Sequence, residues 1–233
     1  MTLKYENQKL RQGYSYIIGC DEVGRGCLAG PVVAAAVVFV SKTRPKWFSE
    51  INDSKKLLPE KREYLSKLIK SHAVWSIGEV SSEVVDEINI HNASLLAMKK
   101  AVEKLILSFP GVILRPNASE AEESQTRKEI LRSAQDDAPE RGFLAVDGKF
   151  KVPNLEIHQE PIIEGDGKVL SIAAASIIAK VYRDSLMRKF DKQYSGYEFA
   201  RHKGYATEYH RAKIFEKGLS PIHRLSFCTN LTV

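Results

Sequence analysis

Residues 14–40 read YSYIIGCDEVGRGCLAGPVVAAAVVFV, and this stretch decides the architecture. Residues 14–22 form an apolar run ending in two adjacent acids, Asp21 and Glu22, the pattern of a strand leaving a core. Residues 23–30 are a glycine-rich turn, and residues 31–40 are almost wholly apolar and rich in valine, which predicts a second, buried strand. An acid at the end of an apolar strand needs a partner or water, so Asp21 and Glu22 either face a solvated turn or line a cleft.

Working outward, residues 59–72 repeat apolar side chains at helical spacing (Tyr64, Leu65, Leu68, Ile69) behind Pro59, and residues 73–80 return to strand-like alternation. Residues 92–109 read as a second amphipathic helix through Leu95, Leu96, Ala97, Val102, Leu105 and Ile106. A short strand over 142–147 ends at Asp147-Gly148. A turn at 165–167, a long helix over 169–193 and a last helix over 207–217 follow. Strands alternating with helices on this scale predict an α/β domain with a mixed sheet flanked by helices. Residues 115–141 depart from the pattern: rich in Glu, Ser, Gln, Asp and Arg and free of aromatics, they read as an exposed mobile insertion. The expected organisation is a domain over 1–193 and a helical C-terminal extension over 194–233.

No stretch reaches the roughly 18–20 apolar residues of a membrane span, and the first ten residues are polar, so a cytoplasmic protein is expected. Cys20, Cys27 and Cys228 form no CxxC pair, which argues against a structural zinc site or a disulfide framework. The net charge of +6 comes from 35 basic and 29 acidic residues. Residues 180–233 hold eleven Lys/Arg against five Asp/Glu, so the whole excess lies in the C-terminal quarter. There Tyr182, Tyr194, Tyr197, Phe199, Tyr205 and Tyr209 are interleaved with the bases, as on a phosphate-backbone binder. Nothing suggests a coiled coil, and a monomer is expected.

Asp147 repeats the arrangement of Asp21, an acid at the C-terminal end of an apolar strand, where α/β sheets build sites; Asp-Gly is also an ordinary turn dipeptide. Asp184 follows Ser176 and Lys180 at spacing of four on the long helix, which is either a surface ion pair or a site face. The run Ala173 to Ala175 lets that helix approach a sheet closely. Asp21, Glu22, Asp147 and Asp184 together make a hard-oxygen ligand set suited to Mg2+ or Mn2+. Two such ions about 3.5–4 Å apart can activate water and stabilise a leaving 3′-oxygen during in-line phosphodiester hydrolysis.

Gly19 and Gly24 have the spacing that opens a P-loop, but Arg25 stands in the lysine position and Gly26 in the Ser/Thr position, which excludes nucleoside triphosphate binding by that motif. The backbone amides of a glycine-rich loop can instead approach a sugar or phosphate. Asp21-Glu22-Val23-Gly24-Arg25-Gly26, continuing to Val33, resembles the opening motif of the ribonuclease HII family. Asn52 to Leu57 (NDSKKL), Val146-Asp147-Gly148, Ile172 to Asp184 (IAAASIIAKVYRD), His202-Lys203-Gly204-Tyr205 and His223 to Phe227 (HRLSF) occur in the family's order. Only 115–141 and the extreme termini fall outside the resemblance.

That resemblance implies a ribonuclease H-like fold and metal-dependent endonucleolytic cutting on the 5′ side of a ribonucleotide, leaving 3′-hydroxyl and 5′-phosphate ends. It places Asp21, Glu22, Asp147 and Asp184 on the metal-binding acids. Gly24, Arg25 and Gly26 fall on the loop that senses the ribose 2′-hydroxyl, and Tyr205 on the tyrosine that packs against the nucleotide there. Ser54, Lys55, Lys180 and Lys203 are the expected phosphate contacts, with RNA/DNA hybrids and ribonucleotide-containing DNA duplexes as partners. A non-catalytic hybrid binder and a DNA-strand transferase are the competing readings; four acids favour the enzyme, and the Gly24-Arg25-Gly26 loop with Tyr205 speaks against the transferase.

Overall fold

A computed structural model describes residues 3–40, 45–109 and 142–231. The expected insertion at 115–141 lies outside the described residues. Five strands, β1 (Tyr16–Val23), β2 (Val32–Val38), β3 (Val74–Val80), β4 (Gly142–Asp147) and β5 (His158–Ile162), form one sheet in the order β3-β2-β1-β4-β5. β2 runs antiparallel to both of its neighbours, β1 and β3, whereas β4 runs parallel to β1 and β5 parallel to β4. The sheet is therefore mixed, and the C-terminal ends of β1 and β4 carry Asp21, Glu22 and Asp147 to one edge of it.

Helix α3 (Ser82–Ser108) covers one face, and α2 (Pro59–His72) with α4 (Leu170–Gln193) covers the other. β2 shows why its sequence is apolar throughout. Val32, Ala34, Ala36 and Val38 pack toward α3, while Val33, Ala35 and Val37 pack toward α2 and α4, so neither face sees water. The N-terminal half of α4 is buried from Leu170 to Ala179. Its closeness to the sheet depends on Gly19, where a Cβ would lie 2.0 Å from the Ser171 carbonyl carbon and 2.2 Å from the Ile172 nitrogen.

The helix expected over 92–109 begins ten residues earlier, at Ser82, behind the N-cap Ser81. It is broken at Asn89 (φ 64°), whose Oδ1 accepts from the backbone N–H groups of His91 and Asn92 and so starts the second half afresh. The expected periodicity belonged to that second half alone. Two further elements carry weak sequence signals: α1 (Lys4–Arg11) is polar, and β5 is a half-exposed edge strand containing Pro161.

After α4 the chain forms three short helices, α5 (Phe199–His202), α6 (Glu208–Lys217) and α7 (Leu225–Cys228). Ala29, Met187, Tyr197, Phe199 and Ile222 make a small core of their own there. Tyr197 and Phe199 are thus interior residues rather than members of a basic aromatic surface, which retains the exposed Tyr205. Residues 27–30 lie between two C-terminal segments: Cys27 bridges to Tyr205 on one side and Ala29 to His223 on the other.

Candidate metal centre

Carboxylate oxygens of Asp21, Glu22 and Asp147 lie within 4.8 Å of one another. β1 and β4 are parallel neighbours with Cys20 paired to Val146, so the residues after this pair, Asp21 and Asp147, emerge side by side toward α4. Asp21 Oδ1 accepts from the Glu22 N–H (2.7 Å), and the Ser176 hydroxyl hydrogen-bonds the same carboxylate. Asp147 Oδ1 accepts from the Gly165 N–H at 2.7 Å. Glu22 Oε1 takes the Arg25 guanidinium (3.1 Å), but its Oε2 is buried without a hydrogen-bond partner.

An orphaned buried oxygen beside two more carboxylates is costly unless a cation fills the gap. Burial raises the pKa of Asp21 well above the ordinary range, and the charges of Glu22 and Asp147 raise it further. Burial likewise raises Glu22 against the opposing pull of Arg25. The cluster therefore concentrates negative charge that its own protein partners do not neutralise. Its oxygen-only donor set suits a divalent ion such as Mg2+ or Mn2+.

A fourth acid joins from an unexpected place. Asp166, in the 3-10 turn Gly165–Gly167, is buried, and its pKa is raised by burial, then by Asp147 and Asp53, against the ammonium of Lys55 at 3.9 Å. Asp184 does not take that position. It accepts from Lys180 Nζ (2.8 Å) eight residues beyond Ser176, which along a helix is roughly 12 Å further. The i,i+4 spacing correctly put Ser176, Lys180 and Asp184 on one face, but that face runs away from the cluster toward Tyr205 and Lys203. The usable signal for Asp166 was its place in a Gly-Asp-Gly turn just before the helix that crosses β1.

The expected phosphate contacts separate into two groups. Ser54 is buried and its hydroxyl shares a hydrogen bond with Ser176 (2.8 Å), so it supports Asp21 from beneath rather than presenting a group to a phosphate. Lys55 is exposed next to Asp166, Lys180 sits 5.4 Å from the Tyr205 ring centroid, and Lys203 Nζ donates to the Ala200 carbonyl. Arg25 and Gly26 are exposed at the loop tip, and Tyr205 is 39% exposed across the bridge from Cys27.

Two fully buried arginines, to which the sequence reading assigned no role, hold this loop. Arg183 donates to the carbonyls of Pro31 (3.0 Å), Ala29 (3.0 Å) and Lys203 (2.8 Å), joining the glycine loop to the tyrosine loop. Arg224 donates twice to Gly30 O and once to Arg25 O (2.9 Å). Planar guanidinium forks suit this task because each satisfies several carbonyls at once. The glycines fit around them: Gly24 (φ 98°) and Gly204 (φ 82°) stand where a Cβ would strike Arg183 Nε at 2.4 Å and Ala29 O at 2.3 Å.

Residues 18–230 match the family model described as Ribonuclease HII. A Ribonuclease HII of Clostridioides difficile is 42% identical over 228 residues, covering 97% of this chain and 75% of the relative. Among solved structures, the RNase HII in a PCNA:RNase HII complex from Archaeoglobus fulgidus superposes with a TM-score of 0.63 at 23% identity, over 92% of this chain and 96% of that one. Bst-RNase HIII in complex with Mn2+ gives 0.59 at 18% identity, over 89% of this chain and 65% of that one. These likenesses reach from the first residues of β1 to the C-terminal helices, and they join the carboxylates, the glycine loop and Tyr205 in one frame: the chain belongs to the ribonuclease HII family and is a ribonuclease H-type hydrolase.

Proposed function

We propose that the protein hydrolyses the RNA strand of RNA/DNA hybrids and cuts duplex DNA on the 5′ side of embedded ribonucleotides, leaving 3′-hydroxyl and 5′-phosphate ends. The observation that carries this reading is the convergence of Asp21, Glu22 and Asp147 within 4.8 Å, with one Glu22 oxygen buried and unpartnered. Those three acids, joined by Asp166, are the groups that would hold Mn2+ or Mg2+, two ions during turnover. When bound, the ions supply an activated water and charge neutralisation at the scissile phosphate.

The remaining roles belong to the chain itself. Ser176, backed by Ser54, and the Gly165 amide orient the carboxylates. Gly24, Arg25 and Gly26 meet the ribose, where a loop without side-chain bulk reads the 2′-hydroxyl through backbone groups, and Tyr205 packs against the adjoining nucleotide. Lys55, Lys180 and Lys203 line the phosphate path, and Asp184 acts by holding Lys180. The cellular task that fits this chemistry is removal of ribonucleotides misincorporated into DNA.

The test is a labelled DNA duplex carrying one ribonucleotide, incubated with the protein and Mn2+ or Mg2+ beside an all-DNA duplex and an Asp147→Asn variant. Cutting 5′ to the ribonucleotide, absent in all-DNA, without metal and in the variant, is the expected result. Binding of the hybrid without cutting under either metal would overturn the enzymatic reading.

A further inference from the structure

Three imidazoles lie buried together in the C-terminal part: His202, His210 and His223. Their protons can be assigned from backbone donors. The Ser220 N–H donates to His223 Nδ1 (2.8 Å), so the His223 proton sits on Nε2. His223 Nε2 lies 3.1 Å from His210 Nε2, which must then accept. The His210 proton is left on Nδ1 and is donated to the Tyr205 carbonyl oxygen at 2.9 Å. By the same logic the Gly204 N–H donates to His202 Nδ1, and His202 Nε2 donates to Tyr197 O (2.7 Å) while its ring stacks on His210 at 4.0 Å. Every ring nitrogen of the three is engaged, and burial pushes His210 and His223 down to about 4, so both are neutral at neutral pH.

The chain of bonds closes a frame. Residues 27–30 are bridged to Tyr205 through Cys27 and to His223 through Ala29, with Leu28 N–H donating to Gly204 O and Gly30 N–H to Ile222 O (both 2.8 Å). The imidazole pair is the third side, joining His223 to the Tyr205 carbonyl through His210. We propose that His210 and His223 are positioning residues, two neutral rings in opposite tautomers that hold the main chain of Tyr205 against residues 24–27 and thereby set the preference for a single embedded ribonucleotide. The inference rests on the reading of Tyr205 and the glycine loop as the ribonucleotide detector. A long hybrid offers a ribose in every register, so it tolerates a displaced Tyr205 better than a duplex with one ribose does.

The experiment compares kcat/KM of the full chain on a single-ribonucleotide duplex and on a long RNA/DNA hybrid, for wild type, His210→Phe, His210→Asn, His223→Leu and His223→Gln, with Tm recorded for each. His210→Asn keeps a donor toward Tyr205 O, and His223→Gln keeps one toward His210. Losing one buried hydrogen bond predicts that His210→Phe and His223→Leu lose about tenfold more on the single-ribonucleotide duplex than on the hybrid. The Asn and Gln variants should keep the wild-type ratio. Ring 15N spectra of the wild type should show Nδ1–H for His210 and Nε2–H for His223, a readout that needs no variant to fold. Equal losses on both substrates, or an Nε2–H tautomer at His210, would overturn the inference. Failure of the underlying reading is separate, because it would appear in the wild type as no preference for ribose-containing duplexes.

Discussion

The charged form of Asp21 is disfavoured in the fold, first by burial and then by the neighbouring carboxylates Glu22 and Asp147, and these are the causes that raise its pKa. Removing that charge relieves the folded state and costs the unfolded state nothing. Asp21→Asn should therefore raise the metal-free Tm, by roughly 2–4 °C for each kcal/mol of repulsion relieved, while abolishing cleavage. Mn2+ should raise the Tm of wild type and fail to raise that of the variant, since only an intact oxygen set binds the ion to the native state. His210 and His223 have the opposite relation to acid. Their folded pKa of about 4 lies below the ordinary 6.5, so as pH falls through this window the unfolded chain takes up protons that the folded chain refuses. Stability should fall between pH 6.5 and 4, and His223→Gln, with one buried imidazole fewer, should show a shallower decline in urea titrations across that range.

The elements meet with little room to spare where α4 crosses β1. The Cβ of an alanine at position 19 would fall on backbone atoms of Ser171 and Ile172, which cannot turn aside as a side chain tip can. Helix α4 would have to shift, taking Ser176 from Asp21 and Arg183 from the carbonyls of Ala29, Pro31 and Lys203. Gly19→Ala is expected to destabilise the fold by about 3 kcal/mol, read as a lower urea midpoint, and to reduce cleavage further than the lost stability explains. The N-terminus of α4 is held from outside the helix as well: Glu6 of α1 accepts from the Ser171 N–H at 3.1 Å. An otherwise polar first helix therefore touches the element that crosses the site.

Across the whole molecule, the ends of the long connection between α3 and β4 come together. The Phe109 ring packs edge-on against Tyr16 at 5.2 Å, and Gly142 is the β-ladder partner of the same Tyr16. A short link can span that gap, and loop closure depends only weakly on length. Deleting residues 116–140 should leave the Tm within a few degrees of the full chain and cleavage of the single-ribonucleotide duplex within about threefold. A loss of cleavage in the shortened chain, with the Tm unchanged, would instead assign those residues a part in the reaction.

The sequence by itself determined the mixed sheet, its covering helices and three of the acids. Those features depend on local rules: apolar periodicity marks the buried faces of β2, α2 and α4, and a carboxylate after an apolar strand marks the sheet's edge at Asp21 and Asp147. Only the tertiary structure decided that Asp166 rather than Asp184 stands near the cluster, that Ser54 supports Asp21 from below, and that Arg183, Arg224 and the imidazole pair hold the glycine loop. Periodicity along a helix states which residues share a face, but the level at which that face meets the sheet is set by a contact between segments distant in sequence, here Gly19 against Ser171. A buried arginine or histidine likewise reads as a surface charge until the carbonyls that satisfy it are brought together by the fold.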